Sequence, residues 1–232
     1  MALQSLHSHT FDSDGKFTHQ QVLDLAQKYG ISVIAFTDHD VLPDLETLEE
    51  LKKLNHPVKW LTGIEISAGL PKELGESSEG GPHVIGLFTD PTNKALQTYC
   101  QKSQEGRIEG MKMTVKKLQQ LGFDITPEDC LRQANGPSVG RPHIVAALVA
   151  KEANLHLIKD YMEQMRKAGE NDAKIHESYQ LMLQQGESQY PYRLFLGDEA
   201  FKPTKVSNQY WVDLDQAVKL IRDFSRFKCF IT

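Results

Sequence analysis

The period of the apolar positions changes repeatedly along this chain, and each change predicts a different element. Leu3 to His7 reads as a strand that ends on polar residues. From Thr18 onward Val22, Leu25 and Ala26 fall on one helical stripe. Thr18 and Gln21 carry a capping-box signature, and Gly30 stands where that helix should stop. Ile31 to Phe36 is a nearly unbroken apolar run, as in a strand buried on both faces. Asp44 to Leu54 returns to helical spacing, Lys59 to Ser67 predicts a third strand, and Val84 to Phe88 a fourth. Strands alternating with helices indicate an α/β chain with a parallel sheet. That pattern suits a barrel related to the TIM barrel, whose reactive groups gather at the C-terminal ends of the strands.

Leu70 to Pro82 is rich in Gly, Ser and Glu and reads as an exposed loop. From about residue 92 the period becomes mostly helical. Met111, Val115, Leu118 and Leu121 share a face, and Gly122 follows. Thr126-Pro127-Glu128-Asp129 is a helix start with Pro at the first position. Pro142 to Lys151 predicts another helix, and at least one more lies between Leu155 and Gln185. Asp213 to Phe224 is amphipathic, with Leu214, Ala217, Val218 and Ile221 inward. The predicted organisation is a barrel part over residues 1–91, a helical insertion over 92–190, and a return to the barrel over 191–232.

Composition narrows the picture. The 232 residues suffice for one large domain or a domain with an insertion. A net charge of -5 argues against a broad surface for long duplex nucleic acid. It leaves room for a nucleotide held through bound cations, which invert the local charge. Cys100, Cys130 and Cys229 lie far apart and form no Cys-x-x-Cys unit. Neither a disulfide framework nor a thiolate zinc site is expected, and a reducing cytoplasm is. The leader before His7 is too short for a signal peptide, and no apolar run approaches the roughly 20 residues of a membrane span.

The candidate chemistry sits at the ends of the short apolar runs. His7-Ser8-His9 places two imidazoles on one side of an extended segment. Ser13-Asp14-Gly15, Thr37-Asp38-His39-Asp40 and Gly63-Ile64-Glu65 bring further imidazoles and carboxylates to the same rim. Zinc, manganese and iron take this mixture of ligands, so the residues themselves point to a hydrolase built around divalent metals. Asp38 and Asp40 flank His39, where one could orient an imidazole or either could serve as a turn residue. Gly140-Arg141-Pro142-His143 opens a helix, and the Arg fork and the helix N-terminus both suit phosphate oxygens. Arg141 and His143 are candidate substrate contacts, a reading that leans on the family resemblance given below; the alternative is a structural helix cap with a solvated Arg. His19, His56, His156 and His176 match no motif and read as surface or helix residues.

In order along the chain, LHSHTFDSDG, TDHD, GIEIS, GGPHVIGL and GRPHIVAAL resemble the PHP family, named for polymerase and histidinol phosphatase. The resemblance runs from about Leu3 to about Ile221. It is to the branch of metal-dependent phosphoesterases that act on nucleoside 3',5'-bisphosphates and on short RNA from its 5' end. It implies a distorted seven-stranded barrel with the helical subdomain inserted. It also implies two or three divalent ions, drawn from Mn2+, Zn2+ and Fe2+. On that pattern His7 and His9 hold one ion, Asp14 and His39 another, Glu65 bridges, and His83 completes the opposite side. Asp14, His39 and Glu65 are thereby implied as catalytic. A metal-bound hydroxide would attack phosphorus, and no side-chain nucleophile is required. The implied partner is a phosphorylated small molecule or a short oligonucleotide.

The pattern departs at the C-terminal end. The family continues with a Gly-Gly turn, a strand ending in Ala-His-Pro, and an Asp-x-His pair. This sequence ends Asp223-Phe-Ser-Arg-Phe-Lys-Cys-Phe-Ile-Thr232. The expectation is a barrel without its last strands and with an exposed sheet edge. Phe227, Phe230 and Ile231 could form a substitute strand. Two alternatives stand beside the nucleotide phosphoesterase: a histidinol-phosphate phosphatase of the same family, and an inactive, truncated metal-binding fragment. The long helical insertion with GRPH favours the nucleotide branch.

Overall fold

The structure is a computed structural model, and it describes residues 3–69, 81–224 and 230–231. Most of the predicted loop from Leu70 to Pro82 lies outside the described residues, as do Phe227 and Cys229. Contacts divide the chain into two compact units. One comprises Met1–Arg107, Ala134–Ser138 and Gln209–Thr232; the other comprises Ile108–Gln133 and Val139–Asn208.

The first unit is built on one sheet. Strand β1 (Leu3–Ser5) is followed by helix α1 (His19–Lys28), β2 (Ile31–Phe36), α2 (Leu45–Lys53), β3 (Lys59–Gly69) and β4 (His83–Leu87). The cap expected at Thr18 is formed: its side chain accepts from Gln21 N, and the Gln21 side chain accepts from Thr18 N. Gly30 closes the helix at φ +73°, a conformation that other residues adopt only with strain. Asp44 caps α2 through Thr47 N at 2.7 Å.

β1, β2 and β3 are parallel, as the alternation predicts. β4 is not: it runs antiparallel to β3, pairing Gly63 with Leu87 and Ser67 with His83. Antiparallel neighbours need no helical crossover, and the stretch before β4 carries no helical period. Short strand β5 (Val212–Asp213) extends the end of β3 at Ala68–Gly69. Helix α8 (Leu214–Phe224) follows, with Asp213 accepting from Gln216 N. β6 (Phe230–Ile231) pairs antiparallel with β4, so the tail does add a strand.

Apolar burial holds these pieces in place. Val22, Leu23, Ala26, Ile34, Phe36 and Leu51 pack α1 and α2 against β2. Ile64, Ile66, Val84, Ala217 and Ile221 pack α8 against β3 and β4. Burying each of the Val, Leu, Ile and Phe side chains among them fully is worth about 1.5–3 kcal/mol before entropy is charged against it. Where the strands come closest, Gly63 leaves no room for a side chain. A Cβ there would lie 2.8 Å from both the Gly86 carbonyl oxygen and Thr37 Cγ2.

Helix α3 (Lys94–Gln120) begins in the first unit and ends in the second. The second unit continues with α4 (Pro127–Gln133), α5 (Arg141–Val149), α6 (Glu152–Gly169) and α7 (Ala173–Leu183). Phe123, Tyr161 and Phe195 form an edge-on aromatic core, with centroids 5.0 and 5.2 Å from Phe195. Asn154 is fully buried and satisfied by Asp124 N, Asp124 O and Leu148 O. No described helix is long and apolar enough to cross a membrane.

Candidate metal centre

Backbone pairing brings the polar rim together. Past β1, Ser8 exchanges bonds with Thr37: Thr37 N donates to Ser8 O at 2.9 Å, and Ser8 N to Thr37 Oγ1 at 3.0 Å. That locks His7 and His9 to the end of β2. Past β2, Asp40 N donates to Glu65 O and Glu65 N to Asp38 O, so His39 lies alongside Glu65. Glu65 and His83 occupy diagonal positions on one face of the β3–β4 pair, within reach of each other.

Six predicted residues thus converge. Glu65 is 3% exposed and accepts from every side. Its Oε2 lies 2.9 Å from His7 Nε2, 2.7 Å from His9 Nε2 and 3.4 Å from His39 Nδ1. Its Oε1 lies 2.5 Å from His83 Nδ1. His9 Nδ1 is 2.7 Å from Asp14 Oδ1, and Asp14 Oδ2 is 4.0 Å from His39 Nε2. Three ligand groups result: His7, His9 and Glu65; His9, Asp14 and His39; His39, Glu65 and His83. Within each, the ligand atoms lie inside 4.8 Å of one another. His9 joins two of them, where the sequence pattern pairs it with His7 alone.

The donor set fits divalent cations on two observations. A neutral imidazole has one donor and one acceptor nitrogen. His9 faces carboxylates with both nitrogens, an arrangement that needs an added proton or a cation between the ring and one of them. Burial alone would lower the His9 pKa, but its bonds to Asp14 and Glu65 override that and raise it to about 10. The second observation is His39 Nδ1, which is buried and has no hydrogen-bond partner. Burial lowers the His39 pKa to about 4, keeping that ring neutral and available as a ligand. Burial works to raise both carboxyls, yet the imidazoles win. Asp14 falls to about 2 and Glu65 falls far below the usual carboxylate range.

The two aspartates beside His39 act on the backbone and on other side chains. Asp38 Oδ1 accepts from Thr10 N at 2.7 Å and Ser13 Oγ at 2.6 Å, and its Oδ2 accepts from Thr10 Oγ1 at 2.9 Å. It thereby fixes the turn that carries Asp14. Asp40 faces the other way, toward Ser67, Tyr99 and Arg107. Their hydrogen bonds go to backbone amides, hydroxyls and a guanidinium, so of the two alternatives the pinning of turns and segments around the rings is the one these bonds support. Tyr99 and Arg107 were invisible to motif reasoning, because their partner is about 60 residues away in sequence.

Arg141 and His143 belong to the second unit. The Arg141 guanidinium lies over the Tyr192 ring at 5.1 Å and 3.4 Å from Asp198 Oδ1, which Lys205 also approaches at 2.5 Å. His143 Nδ1 accepts from Gly140 N at 2.9 Å, so this ring caps its own helix. Of the four unmatched histidines, His156 and His176 are exposed on helices. His56 accepts from Val58 N. His19 is a helix residue, the first of α1, and is buried there: it stands edge-on to Phe36 at 4.6 Å.

Comparison with known proteins places the chain in a family. The family profile described as "PHP domain" matches residues 5–203. A phosphoribosyl 1,2-cyclic phosphate 1,2-diphosphodiesterase of Eggerthella lenta is 30% identical over 64% of this chain and 55% of its own length. The 5'-3' exoribonuclease Rnm of Salmonella typhimurium is 28% identical over 63% of this chain and 48% of its own. The 3',5'-nucleoside bisphosphate phosphatase of Chromobacterium violaceum is 27% identical over 72% and 55%. The chain spans about half the length of these curated relatives. The fold is shared with a solved amidohydrolase from Chromobacterium violaceum, with a TM-score of 0.67 at 24% identity, covering 96% of this chain and 64% of that one.

Proposed function

The chain belongs to the PHP domain family, and from that premise we propose that it is a metal-dependent phosphoesterase acting on nucleotides, either 3',5'-nucleoside bisphosphates or the 5' ends of short RNA. The observation that carries the reading is Glu65, a buried carboxylate shared among four imidazoles. The buried carboxylates of Asp38 and Asp40 are met by backbone amides, hydroxyls and a guanidinium; it is the convergence of four imidazoles on one carboxylate that supports a ligand shell at Glu65. Two or three divalent ions, Mn2+, Zn2+ or Fe2+, are the cofactors this shell suits. Bound there, they would activate a water and offset the negative charge of the phosphate.

The chain's own residues do the rest. His7, His9, Asp14, His39, Glu65 and His83 are the proposed ligands, with Asp14, His39 and Glu65 bordering the reacting phosphate. Asp14 holds the His9 ring by its Nδ1 and so aims Nε2 at Glu65. Arg141 is the proposed phosphate contact in the helical unit, since its planar fork matches two phosphate oxygens. His143 supports the backbone turn that presents it. Cys100 and Cys130 are free and buried, which fits a reducing compartment such as the cytoplasm.

The relatives named above divide between phosphate monoesters and diesters, and one experiment separates them. The purified chain is stripped of metal, reloaded with Mn2+, and offered adenosine 3',5'-bisphosphate, a short 5'-phosphorylated RNA, a cyclic phosphodiester and histidinol phosphate. The reading expects phosphate or mononucleotide release from one of the first two. Full metal loading with turnover of neither would overturn it, and preference for histidinol phosphate would move the chain to the other branch.

A further inference from the structure

Beside the ligand shell lies a second buried polar assembly that the proposed chemistry does not use. Asp40 is fully buried, and its backbone stands at φ +54°, in the left-handed region. That conformation costs an ordinary residue of order 1 kcal/mol, and Asp tolerates it better than most. Its carboxylate is completely engaged. Oδ1 accepts from Ser67 N at 2.9 Å and from the Tyr99 hydroxyl. Oδ2 accepts from Arg107 Nε at 2.8 Å and from Arg107 Nη2. Arg107 Nη2 also donates to Ser67 Oγ at 2.8 Å, and Gln104 Nε2 donates to the Asp40 carbonyl at 3.2 Å. Tyr99, Gln104 and Arg107 all come from the first half of α3.

Stability alone is a poor account of this assembly. A buried ion pair loses hydration on both partners, and apolar residues of the same volume often do as well or better. Its position is more telling. Asp40 follows His39 directly, and Ser67 lies two residues beyond Glu65 on β3. One side chain therefore grips the strand that carries Glu65, while its own backbone carries His39. Arg107 closes the grip by bonding both Asp40 and Ser67.

We propose that Arg107, acting through Asp40, is a positioning residue that fixes the spacing of His39 and Glu65 and so sets the geometry of the ligand group these two residues share with His83. The inference rests on the metal reading of the site. The guanidinium is suited to the task because its rigid fork holds two acceptors at once, whereas an ammonium is a point charge on a flexible stem. Helix α3 thereby becomes a buttress for the ligand shell.

The test uses the full chain and Co2+, whose visible absorption follows ligand number and geometry. Wild-type protein, Arg107→Lys, Arg107→Gln and the double variant Asp40→Asn/Arg107→Gln are titrated with Co2+, and their metal-free melting temperatures are recorded. The double variant removes both charges, so no charge is left buried alone if a single variant fails to fold. Outer partners of metal ligands typically matter 10–100-fold in affinity, and we expect at least about a tenfold loss with an altered spectrum in Arg107→Lys. Folded variants with wild-type affinity and spectrum would overturn the proposal and leave a purely structural ion pair. Glu65→Gln serves as the control. If neither wild type nor Glu65→Gln binds Co2+, the metal reading has failed and this inference falls with it. If wild type binds, Glu65→Gln does not, and the Arg107 variants match wild type, only the positioning role has failed.

Discussion

The surroundings of Glu65 and the outer face of α6 both bring acids and bases together, but they do so on opposite terms. On α6, Arg166 meets Glu163 at 2.7 Å and Glu170 at 2.9 Å, and Lys167 meets Glu163 at 3.5 Å. These partners are three or four residues apart and fully solvated, so each side chain would find water just as acceptable. Around Glu65 the partners are 18 to 58 residues away and converge on a group with 3% exposure. Such an assembly cannot arise from helix periodicity, and burial makes every missing partner costly. Charge pairs close in sequence and exposed describe a solvated helix; charge pairs distant in sequence and buried describe a site.

The largest effect should follow from breaking the buried side of that contrast. Glu65→Gln keeps shape but removes the charge that the imidazoles and any cation share. Metal-assisted charge stabilisation is worth several kcal/mol, so phosphate release should fall by at least about 100-fold and metal content should drop with it. Metal analysis beside a phosphate assay checks both, and near-normal values would return Glu65 to an ordinary strand residue. Removing the metal tests the same region from outside the sequence. Ions bound only to the folded state at about 100 times their Kd add about 2.7 kcal/mol, so EDTA should lower the melting temperature by several degrees. An unchanged melt would mean that the shell holds no ion tightly.

Asp38 sharpens the comparison by moving one step outward. Asp38→Asn leaves the volume alone but turns one acceptor into a donor facing Thr10 and Ser13. Hydrogen bonds to charged groups are worth about 1.5–3 kcal/mol, and a loss of that order is expected in urea unfolding. Metal affinity should weaken as well, since the turn carrying Asp14 loosens. The smallest effect belongs to α6. Arg166→Ala should leave melting temperature and activity unresolved from wild type, and a shift as large as that of Asp38→Asn would erase the distinction drawn above.

The same contrast explains what the sequence made legible. Local signals were reliable: the Thr18 and Gln21 cap, the Ile31–Phe36 strand and the helix within Asp44–Leu54 all fall where pattern and side-chain chemistry place them. The ligand residues were legible as types, because imidazoles and carboxylates at strand ends are rare and recurrent in order. Their arrangement was not. That His9, five residues from Asp14, also meets Glu65, or that Asp38 holds Thr10 while Asp40 reaches Arg107, depends on contacts across 28 to 67 residues. The direction of β4 was hidden for a related reason, since alternating apolar runs fix a strand but not the sense in which it pairs. The burial of His19 against Phe36 had no signal beyond its place at the start of α1.

Gly63 gives the rim an unusual genetic character. The missing Cβ lies where the strand bearing Glu65 meets Thr37, which secures the His7–His9 segment, and the Gly86 carbonyl on the strand that starts at His83. A single added methyl would therefore disturb three inherited motifs at once, although it touches no ligand. Lesions of that kind are repaired at a second locus rather than at the ligands themselves. Thr37→Ser deletes the Cγ2 that stands in the way and keeps the hydroxyl that bonds Ser8, which makes it the natural partial suppressor of Gly63→Ala.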